Sequence, residues 1–299
     1  MAVSEYGRGM LAMAASTLMF TAMSLLVPLA ESAGSYLLVS ARFVTGAVVI
    51  ILMGFFGLIR LRPVNVLWLL VRGAFGSVSV FLFYYGILKL GLGMGTVLGN
   101  TYPVFAALLA PIILRERLRL DVLAAVLVSF VGICLIVYPG GVLGLFGAGS
   151  VHSSPAAGVD GILALLGGVL ASVAIVAIKK LHETDTSPMI YLAQCVFGIL
   201  VFGYPTAAGS FDFPPVIWLV LLAIGGSATI AQLIMTYAYK HVPATEGSLI
   251  HFLMPVLNVI LGAVLFGEKM HPLALVGSGV VLAGCVYVAL RDRIVRPAA

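Results

Sequence analysis

Long apolar stretches dominate this sequence of 299 residues and constrain its fold more than any other feature. Hydrophobic residues make up 62% of the chain and charged residues 9%, whereas a soluble domain carries roughly a quarter charged residues. A helix needs roughly 20 apolar residues to cross the hydrocarbon core of a bilayer. Stretches of about this length occur at residues 9–29, 36–56, 67–88, 93–114, 121–138, 160–179, 188–206, 216–239, 244–266 and 273–290. The sequence therefore predicts an all-α integral membrane protein with ten transmembrane helices.

The second half of the sequence repeats landmarks of the first half at a constant offset. Residues of the same type recur 152 positions later in the pairs Tyr85 and Tyr237, Pro103 and Pro255, Glu116 and Glu268, and Gly132 and Gly284. This offset predicts two five-helix repeats, residues 1–138 and 160–299, joined by a linker at 139–159 that is rich in Gly, Ser and Pro. Because residues 9–29 belong to the first repeat, we expect this stretch to be retained rather than cleaved as a signal peptide.

The Lys and Arg residues favour one side of the predicted membrane. With the N-terminus in the cytoplasm, twelve of the 16 fall on the cytoplasmic side, and two, Lys89 and Lys269, fall outside. Positive loops are retained in the cytoplasm, so we expect both termini there, in the inner membrane of a bacterial cell. The net charge of +5 therefore reflects topology and does not indicate a nucleic-acid partner. Five helices per repeat give the repeats opposite orientations, as in carriers that work by alternating access.

Polar side chains within the apolar stretches share single helical faces. They are costly in lipid unless they face the bundle interior or a water-filled cavity. Ser248, His251, Pro255 and Asn258, for example, follow spacings of three and four residues. We expect these faces to surround a cavity lined by Arg42, Tyr84, Tyr85, Asn100, Tyr102, Gln194, Gln232, Tyr237, His251 and Asn258. The fifth and tenth stretches carry almost no polar residues, which predicts that they face lipid or a partner.

Pro103 and Pro255 lie in the middle of the fourth and ninth stretches. A proline inside a helix removes one backbone hydrogen bond and frees a carbonyl. In lipid this is tolerated only where protein or water satisfies the freed group. The two prolines are therefore either kinks that gate or line the site, or packing kinks without a gating role. Their recurrence at equivalent positions favours the first interpretation.

Three basic side chains lie within the apolar stretches. Arg42 lies well inside its stretch, where it either anchors a carboxylate or phosphate of the substrate or bonds structurally to neighbouring helices. Arg72 lies close to the cytoplasmic end of its stretch, so we expect it to snorkel to the interface. His251 either contacts substrate or titrates in a proton-coupled cycle, or it forms a neutral hydrogen bond between helices.

Signatures of enzymes, metals and cofactors are missing from the sequence. There is no phosphate-binding glycine loop and no zinc-type histidine pair. Glu116 and Glu268 lie at predicted helix ends beside basic residues, which indicates structural caps and not catalytic acids. The three cysteines lie in apolar stretches without metal-ligand spacing. We therefore expect a non-enzymatic protein without metal or cofactor.

Several segments resemble the EamA-type transporters of the drug/metabolite transporter superfamily. The matching segments are LLVSARFVTGAVV at residues 37–49, TYPVFAALLAPIILRERL at residues 101–118, and HFLMPVLNVILGAVLFGEKMHP at residues 251–272. The resemblance covers the whole chain and implies ten helices, an inverted repeat and transport of a metabolite. One departure is Arg115–Glu116, where the family commonly has Gly-Glu, as Gly267–Glu268 does here.

These observations predict a carrier for a small organic metabolite. Because the predicted cavity lacks acidic residues, neutral, zwitterionic or anionic solutes such as amino acids fit better than cations. A broad-specificity exporter of drugs or amphipaths is the alternative within transport. An integral-membrane enzyme or a receptor is disfavoured, since no nucleophile or metal cluster and no large exposed domain is evident. Gly279 and Ala283 form a small-residue patch, so we expect a monomer or a weak homodimer in the lipid bilayer.

Overall fold

The computed structural model describes residues 4–115, 119–137, 155–209, 211–266 and 272–295, and every regular element in these ranges is helical. The helices are α1 Glu5–Leu26, α2 Gly34–Phe55, α3 Val66–Gly99, α4 Tyr102–Ile113, α5 Leu120–Val137, α6 Pro155–Leu181, α7 Ser187–Ala207, α8 Pro215–His241, α9 Ala244–Ile250, α10 Leu253–Phe266 and α11 Pro272–Val295. A 3₁₀ helix at Pro28–Ala33 joins α1 to α2. The all-α prediction is confirmed for the described residues. Most of the predicted linker at 139–159 lies outside them, and residues 155–159 already belong to α6.

Seven helical stretches in the described ranges are long and apolar enough to cross a membrane. They are Glu5–Leu26, Pro28–Phe55, Val66–Ile113, Gly158–Leu181, Ser187–Ala207, Pro215–His241 and Ala244–Leu265. Two shorter apolar helices, Leu120–Leu135 and Leu275–Val288, accompany them. The protein is therefore a multi-pass membrane protein, and the spacing of its apolar stretches follows the sequence pattern closely.

The longest of these stretches, Val66–Ile113, folds back on itself at Gly91. A straight helix of its 48 residues would be about 70 Å long, more than twice the thickness of the bilayer core. Gly91 has a φ of 83°, a conformation that favours glycine, and it reverses the chain inside α3. Beyond this turn, Gly95 packs directly on the backbone of Gly86, where an added Cβ would overlap with it. Residues 66–90 and 92–99 therefore form a tight helical hairpin.

The helices pack mainly against partners from the other half of the chain. The most extensive interfaces join α3 to α6, α1 to α8, α5 to α11 and α2 to α7. Exchanging each helix for its counterpart 152 residues away maps the α1–α8 interface onto the α6–α3 interface. The same exchange maps α2–α7 and α5–α11 each onto itself. The two halves are thus intertwined and related by a pseudo-two-fold arrangement.

The contact between α2 and α7 follows this symmetry at single residues. Gly46 and Gly198 lie 152 positions apart, and each leaves space for an aromatic side chain of the opposite helix. A Cβ at Gly46 would overlap with the hydroxyl of Tyr191, and a Cβ at Gly198 would overlap with the ring of Phe43. Small residues allow membrane helices to approach closely. The repeat therefore supplies both sides of this interface.

The two helices that carry few polar residues, α5 and α11, pack against each other. A Cβ at Gly132 would lie 2.8 Å from the carbonyl oxygen of Gly277, and a Cβ at Gly284 would overlap with the side chain of Ser129. Their remaining faces are apolar and exposed, as at Val131 and other residues of the outward faces. The prediction that these helices face lipid or a partner thus applies only to their outer faces, because their inner faces pack against each other.

Side chains near the α6–α7 connection fix the ends of two other helices. Asp185 accepts hydrogen bonds from the backbone N–H groups of Val64 at 2.9 Å and Asn65 at 3.1 Å, directly before α3 begins. Lys179 donates from Nζ to the carbonyl oxygens of Tyr239 at 3.0 Å and Val242 at 2.7 Å, at the end of α8. An acid at the start of a helix and a base at its end complement the helix dipole.

Candidate substrate-binding site

A central cavity lies between the two halves and has a volume of about 650 Å³ including its open mouth. Its polar lining consists of Arg42, Arg72, Ser79, Asn100, Tyr102, Gln194, Gln232 and His251. Its apolar lining includes Phe20, Met23, Phe83, Ile175, Met235 and Met254. The fold therefore brings together six of the residues that the sequence places in a cavity, from both repeats: Arg42, Asn100, Tyr102, Gln194, Gln232 and His251.

Arg42 is held in the cavity wall by neutral partners. It is 2% exposed, and its Nη2 donates to Oε1 of Gln232 on α8 at 3.2 Å. Its Nη1 lies 3.5 Å from both the Tyr84 hydroxyl and the Met23 sulfur. The guanidinium carbon lies 5.6 Å from the ring centroid of Phe20, within cation–π range. Because no carboxylate takes part, these contacts position the guanidinium but leave its charge unneutralised.

Arg72 also lines the cavity, and the prediction that it snorkels to the membrane interface is wrong. Arg72 is 3% exposed, and its Nη2 donates to Oε1 of Gln194 on α7 at 2.7 Å. Gly76 lies one turn further along α3, and a Cβ there would overlap with Nη1 of Arg72. The inward side-chain conformation therefore depends on space provided by a glycine and on an acceptor from the other repeat.

Two discontinuous helices place their broken ends beside the cavity. The predicted helix 93–114 is interrupted at residues 100–101, and the predicted helix 244–266 is interrupted at residues 251–252. Pro103 and Pro255, predicted to lie in the middle of continuous helices, instead lie in the first turns of α4 and α10. Proline is favoured in the first turn of a helix, because the N–H group that it lacks has no intrahelical acceptor there. Each break therefore falls just before its proline.

His251 connects the two breaks. Its Nδ1 is hydrogen-bonded to the hydroxyl of Tyr102, the first residue of α4. Its Nε2 lies 3.4 Å from Oγ of Ser16 on α1, and this serine donates to the carbonyl oxygen of Ala231 on α8. The ring is buried and also lines the cavity. His251 thus forms hydrogen bonds between helices, as one of the two interpretations predicts. It also lines the cavity, where a substrate could contact it.

Two predicted lining residues lie behind the cavity wall. Tyr84 is fully buried and donates to the Met23 sulfur at 3.1 Å, so it supports Arg42 from behind. Asn258 is also fully buried and accepts a hydrogen bond from Ser24 at 2.9 Å, between α10 and α1. The structure therefore gives both residues interhelical contacts outside the cavity wall.

Two other predicted lining residues, Tyr85 and Tyr237, lie away from the cavity. Tyr85 donates to Asp160 at 2.6 Å, and its ring lies 6.0 Å from Nζ of Lys89. Tyr237 is 45% exposed, and its ring lies 4.9 Å from that of His241. Both tyrosines occupy equivalent positions of the repeat, so the symmetry places both of them at the periphery of the bundle.

The sequence analysis did not predict part of the cavity lining, including Phe20. Two residues with a predicted structural role are not described by the structure. Phe20 lies on the same helical face as Thr17 and Ser24, so the helical spacing that singles out this face also contains it. Glu116 and Glu268 lie outside the described residues, and their role as structural caps stays a prediction.

Both halves of the chain match the profile of one protein family. The profile described as the EamA-like transporter family matches residues 7–138 and residues 161–290, which together exceed half of the chain. The chain belongs to the EamA-like transporter family. The predicted resemblance is thereby confirmed, and this EamA-like chain has the lipid bilayer as its environment and a small molecule as its substrate.

Bacterial and mammalian relatives carry transporter names. An uncharacterised transporter of Helicobacter pylori strain J99 is 26% identical over 73% of this chain and 72% of its own length. The pseudopaline exporter CntI of Pseudomonas aeruginosa is 27% identical over 73% of both chains. Solute carrier family 35 member G1 of the mouse is 32% identical over 40% of this chain and 32% of its own length. These names describe transporters and not enzymes.

A solved crystal structure has the same fold as this EamA-like transporter. Its TM-score is 0.73 at 19% identity, and the match covers 94% of this chain and 95% of the other one. At this level of identity the likeness concerns the fold alone. The arrangement of helices around the central cavity therefore belongs to a fold that also exists in an experimentally determined structure.

Proposed function

We propose that this EamA-like transporter is a secondary carrier that moves a small organic metabolite across the membrane by alternating access. The observation that carries the proposal is the central cavity, which both repeats line and beside which two equivalent helices are broken. Broken helices at a repeat interface are typical of binding sites in carriers with inverted repeats. Two similar halves that exchange conformations would open such a cavity first to one side and then to the other.

The proposed topology has ten crossings. They are α1, α2, residues 66–90, residues 92–99 with α4, α5, α6, α7, α8, α9 with α10, and α11. Residues 1–138 and 160–299 form two repeats of five crossings in opposite orientations, with a linker at 139–159. Both termini lie in the cytoplasm, and the membrane is the inner membrane of a bacterial cell. The distribution of Lys and Arg supports this orientation.

The proposed substrate carries at least one anionic group, which binds to Arg42. A guanidinium presents a planar fork that suits a carboxylate or phosphate. Asn100, Tyr102, Gln194, Gln232 and His251 supply neutral hydrogen-bonding groups around it. The apolar lining, with Phe20, Phe83 and three methionines, accommodates the carbon skeleton. A carboxylate-bearing metabolite such as an amino acid or an organic acid matches this lining.

Counterflow in proteoliposomes tests the proposal. Purified protein is reconstituted and assayed with a panel of amino acids, nucleobases and organic acids, and we expect exchange of at least one class of carboxylate-bearing compound. R42Q should abolish exchange of that class, whereas K180Q should retain it, because Lys180 lies at the end of α6 and pairs with Glu183 outside the cavity. If folded, reconstituted protein exchanged none of the panel, the proposal would be rejected.

The direction of transport is either import or export, and we propose export as the second, more specific part of this function. It is favoured by the similarity to a protein named as the pseudopaline exporter CntI. Inside-out and right-side-out vesicles from the same cells distinguish the two directions, because an exporter accumulates substrate in the inside-out vesicles only. Accumulation in right-side-out vesicles would instead assign import.

A further inference from the structure

Two buried guanidinium groups share the central cavity without a counter-ion among the described residues. Arg42 is 2% exposed and Arg72 is 3% exposed, and both line the same space. The ion pairs within the described residues, Arg119 with Asp121 and Lys180 with Glu183, lie elsewhere. A buried charge without a partner costs several kcal/mol or more. The cavity therefore holds two positive charges that a ligand could neutralise.

The buried acids of the described residues are committed to other groups. Asp185 accepts from the backbone N–H groups before α3. Glu246 accepts from the hydroxyl of Tyr6 at 2.7 Å and does not line the cavity. Neither carboxylate reaches Arg42 or Arg72. The counter-charge for the two arginines thus has to come from outside the described protein groups.

Both guanidinium groups keep N–H donors that have no protein acceptor. Each arginine has five N–H donors, yet Arg72 makes one hydrogen bond, to Gln194, and the Nε of each arginine has no partner. The acceptors that hold them, Gln194 and Gln232, are neutral amides. A carboxylate is a stronger acceptor than an amide because its hydrogen bonds are charge-assisted. An anionic ligand therefore competes favourably for these donors.

Each helix break places both a helix N-terminus and a helix C-terminus beside the cavity. α4 and α10 have 12 and 14 residues and begin beside the cavity, at Tyr102 and Leu253. The N-terminus of a helix carries a partial positive charge of roughly half an elementary charge. α3 and α9 end at the same two breaks, at Gly99 and Ile250, and their C-termini carry the opposite partial charge, so the positive potential of the cavity rests on the two guanidinium groups.

We infer that the substrate of this carrier carries two anionic groups, one bound by Arg42 with Gln232 and the other bound by Arg72 with Gln194. This inference rests on the proposed function and specifies its substrate class as a dianionic organic metabolite, such as a dicarboxylate or a carboxylate with a phosphate or phosphonate. The two guanidinium groups come from α2 and α3, and their partners come from α8 and α7. A dianion that bridges them therefore contacts helices of both repeats at once.

Matched ligands that differ in one charge test the inference. Purified protein in detergent is titrated with α,ω-dicarboxylates from oxalate to suberate and with the half-amide of each, and 3-phosphonopropionate distinguishes carboxylate from phosphonate binding. Binding is measured by calorimetry and by the shift in melting temperature. A hydrogen bond to a charged group contributes about 1.5–3 kcal/mol, so at least one dicarboxylate should bind about tenfold or more tightly than its half-amide.

Variants of the second arginine separate the two anionic subsites. R72Q should lose the preference for the dicarboxylate over its half-amide. Only Arg42 remains in this variant, so the second carboxylate of the ligand has no cation to bind. R72K should keep part of the preference, since it keeps the charge, and K180Q should bind like the wild type. Equal affinity of dicarboxylates and half-amides for the wild type would overturn the inference while leaving the proposed function intact. Absence of exchange with every compound of the wider transport panel would instead contradict the proposed function itself.

Discussion

Arg42 and Gln194 occupy equivalent positions of the two repeats, 152 residues apart. Each takes part in a hydrogen bond between an arginine and a glutamine, Arg42 as the arginine of one pair and Gln194 as the glutamine of the other. Arg42 on α2 donates to Gln232 on α8, and Gln194 on α7 accepts from Arg72 on α3. The pseudo-symmetry exchanges α2 with α7 and α8 with α3. It therefore relates the helices of the two pairs, but only Arg42 and Gln194 are equivalent residues, because the counterpart of Gln232 is Val80 and that of Arg72 is Ile224.

Replacing a neutral acceptor in one of these pairs with an acid should neutralise the cavity from within. Q194E places a carboxylate at the position that now accepts from Arg72 at 2.7 Å. We expect a higher melting temperature, because a buried cation gains a counter-ion, together with a loss of about tenfold or more in affinity for anionic ligands. Thermal unfolding and ligand titration measure the two effects. A variant that gained stability and kept its full anion affinity would contradict this account of the pair.

Gly76 should control the position of the Arg72 guanidinium. A Cβ at this residue would overlap with Nη1, which is the mobile end of a long side chain and can move away. G76A should therefore fold but bind anions more weakly, because Arg72 leaves its place beside Gln194. The double variant G76A/R72Q serves as the control, since the shorter side chain removes the overlap. Binding by the double variant should equal that of R72Q alone, and a further decrease would argue against the mechanism.

The hairpin in α3 should not tolerate a side chain at Gly95. Its Cβ would overlap with the backbone of Gly86, which cannot move without opening the hairpin. Overpacking of this kind costs typically about 1–3 kcal/mol, so G95A should lower the melting temperature in detergent. G226A is the matched control, because an added Cβ on Gly226 of α8 meets no atom within 4 Å. Equal melting temperatures for the two variants would show that the hairpin is less tightly packed than the structure indicates.

The hydrogen bond between Tyr102 and His251 should stabilise the observed arrangement of the two helix breaks. Y102F removes this bond and leaves a buried ring nitrogen without its partner, at a cost of about 1–3 kcal/mol. We expect a lower melting temperature and an altered rate of exchange in proteoliposomes. Y204F is a control of the same chemistry, since Tyr204 is 83% exposed. Unchanged stability and exchange in Y102F would remove any role for this contact in holding the breaks together.

His182 should make stability depend on pH below neutrality. This residue follows α6 and hydrogen-bonds to the carbonyl oxygen of Thr236 at 2.6 Å through Nε2. Burial lowers its pKa from the usual value of 6.5, the hydrogen bond to Thr236 partly opposes this, and the nearby Lys179 and Lys240 lower the pKa further. The neutral form is therefore favoured in the folded state, so its contribution is present above pH 6.5 and is lost as the pH falls below that value. H182Q should flatten the fall in melting temperature over this acidic range, and parallel pH curves for wild type and H182Q would contradict the prediction.

The helices and the repeat could be predicted because they depend on local composition and on a constant offset. The direction of Arg72 could not, because it depends on Gln194, which is 122 residues away in the chain, and on the space beside Gly76. A position near the end of an apolar stretch is typical of a snorkelling arginine, and only the packing of α7 against α3 shows otherwise.

The helix breaks show a similar division between local and tertiary information. The prolines at 103 and 255 indicated irregular backbone at equivalent places, but they did not distinguish a kink from a complete interruption. The interruptions are possible because neighbouring helices supply partners, such as Tyr102 for His251. Tyr237 lies five residues after Gln232 and so off the helical face of Gln232, Thr236 and Tyr239, which agrees with its peripheral position.

The pairing of α5 with α11 also has a consequence for biogenesis. α5 ends at Val137, but its partner α11 begins only at Pro272 and leaves the ribosome after the helices between them. At about 5–20 residues per second, the intervening chain takes on the order of ten seconds to synthesise. During this interval the Gly132 seam of α5 has no helix against it. Formation of the seam between α5 and α11 is therefore a late event in assembly, which follows the synthesis of helices from both repeats.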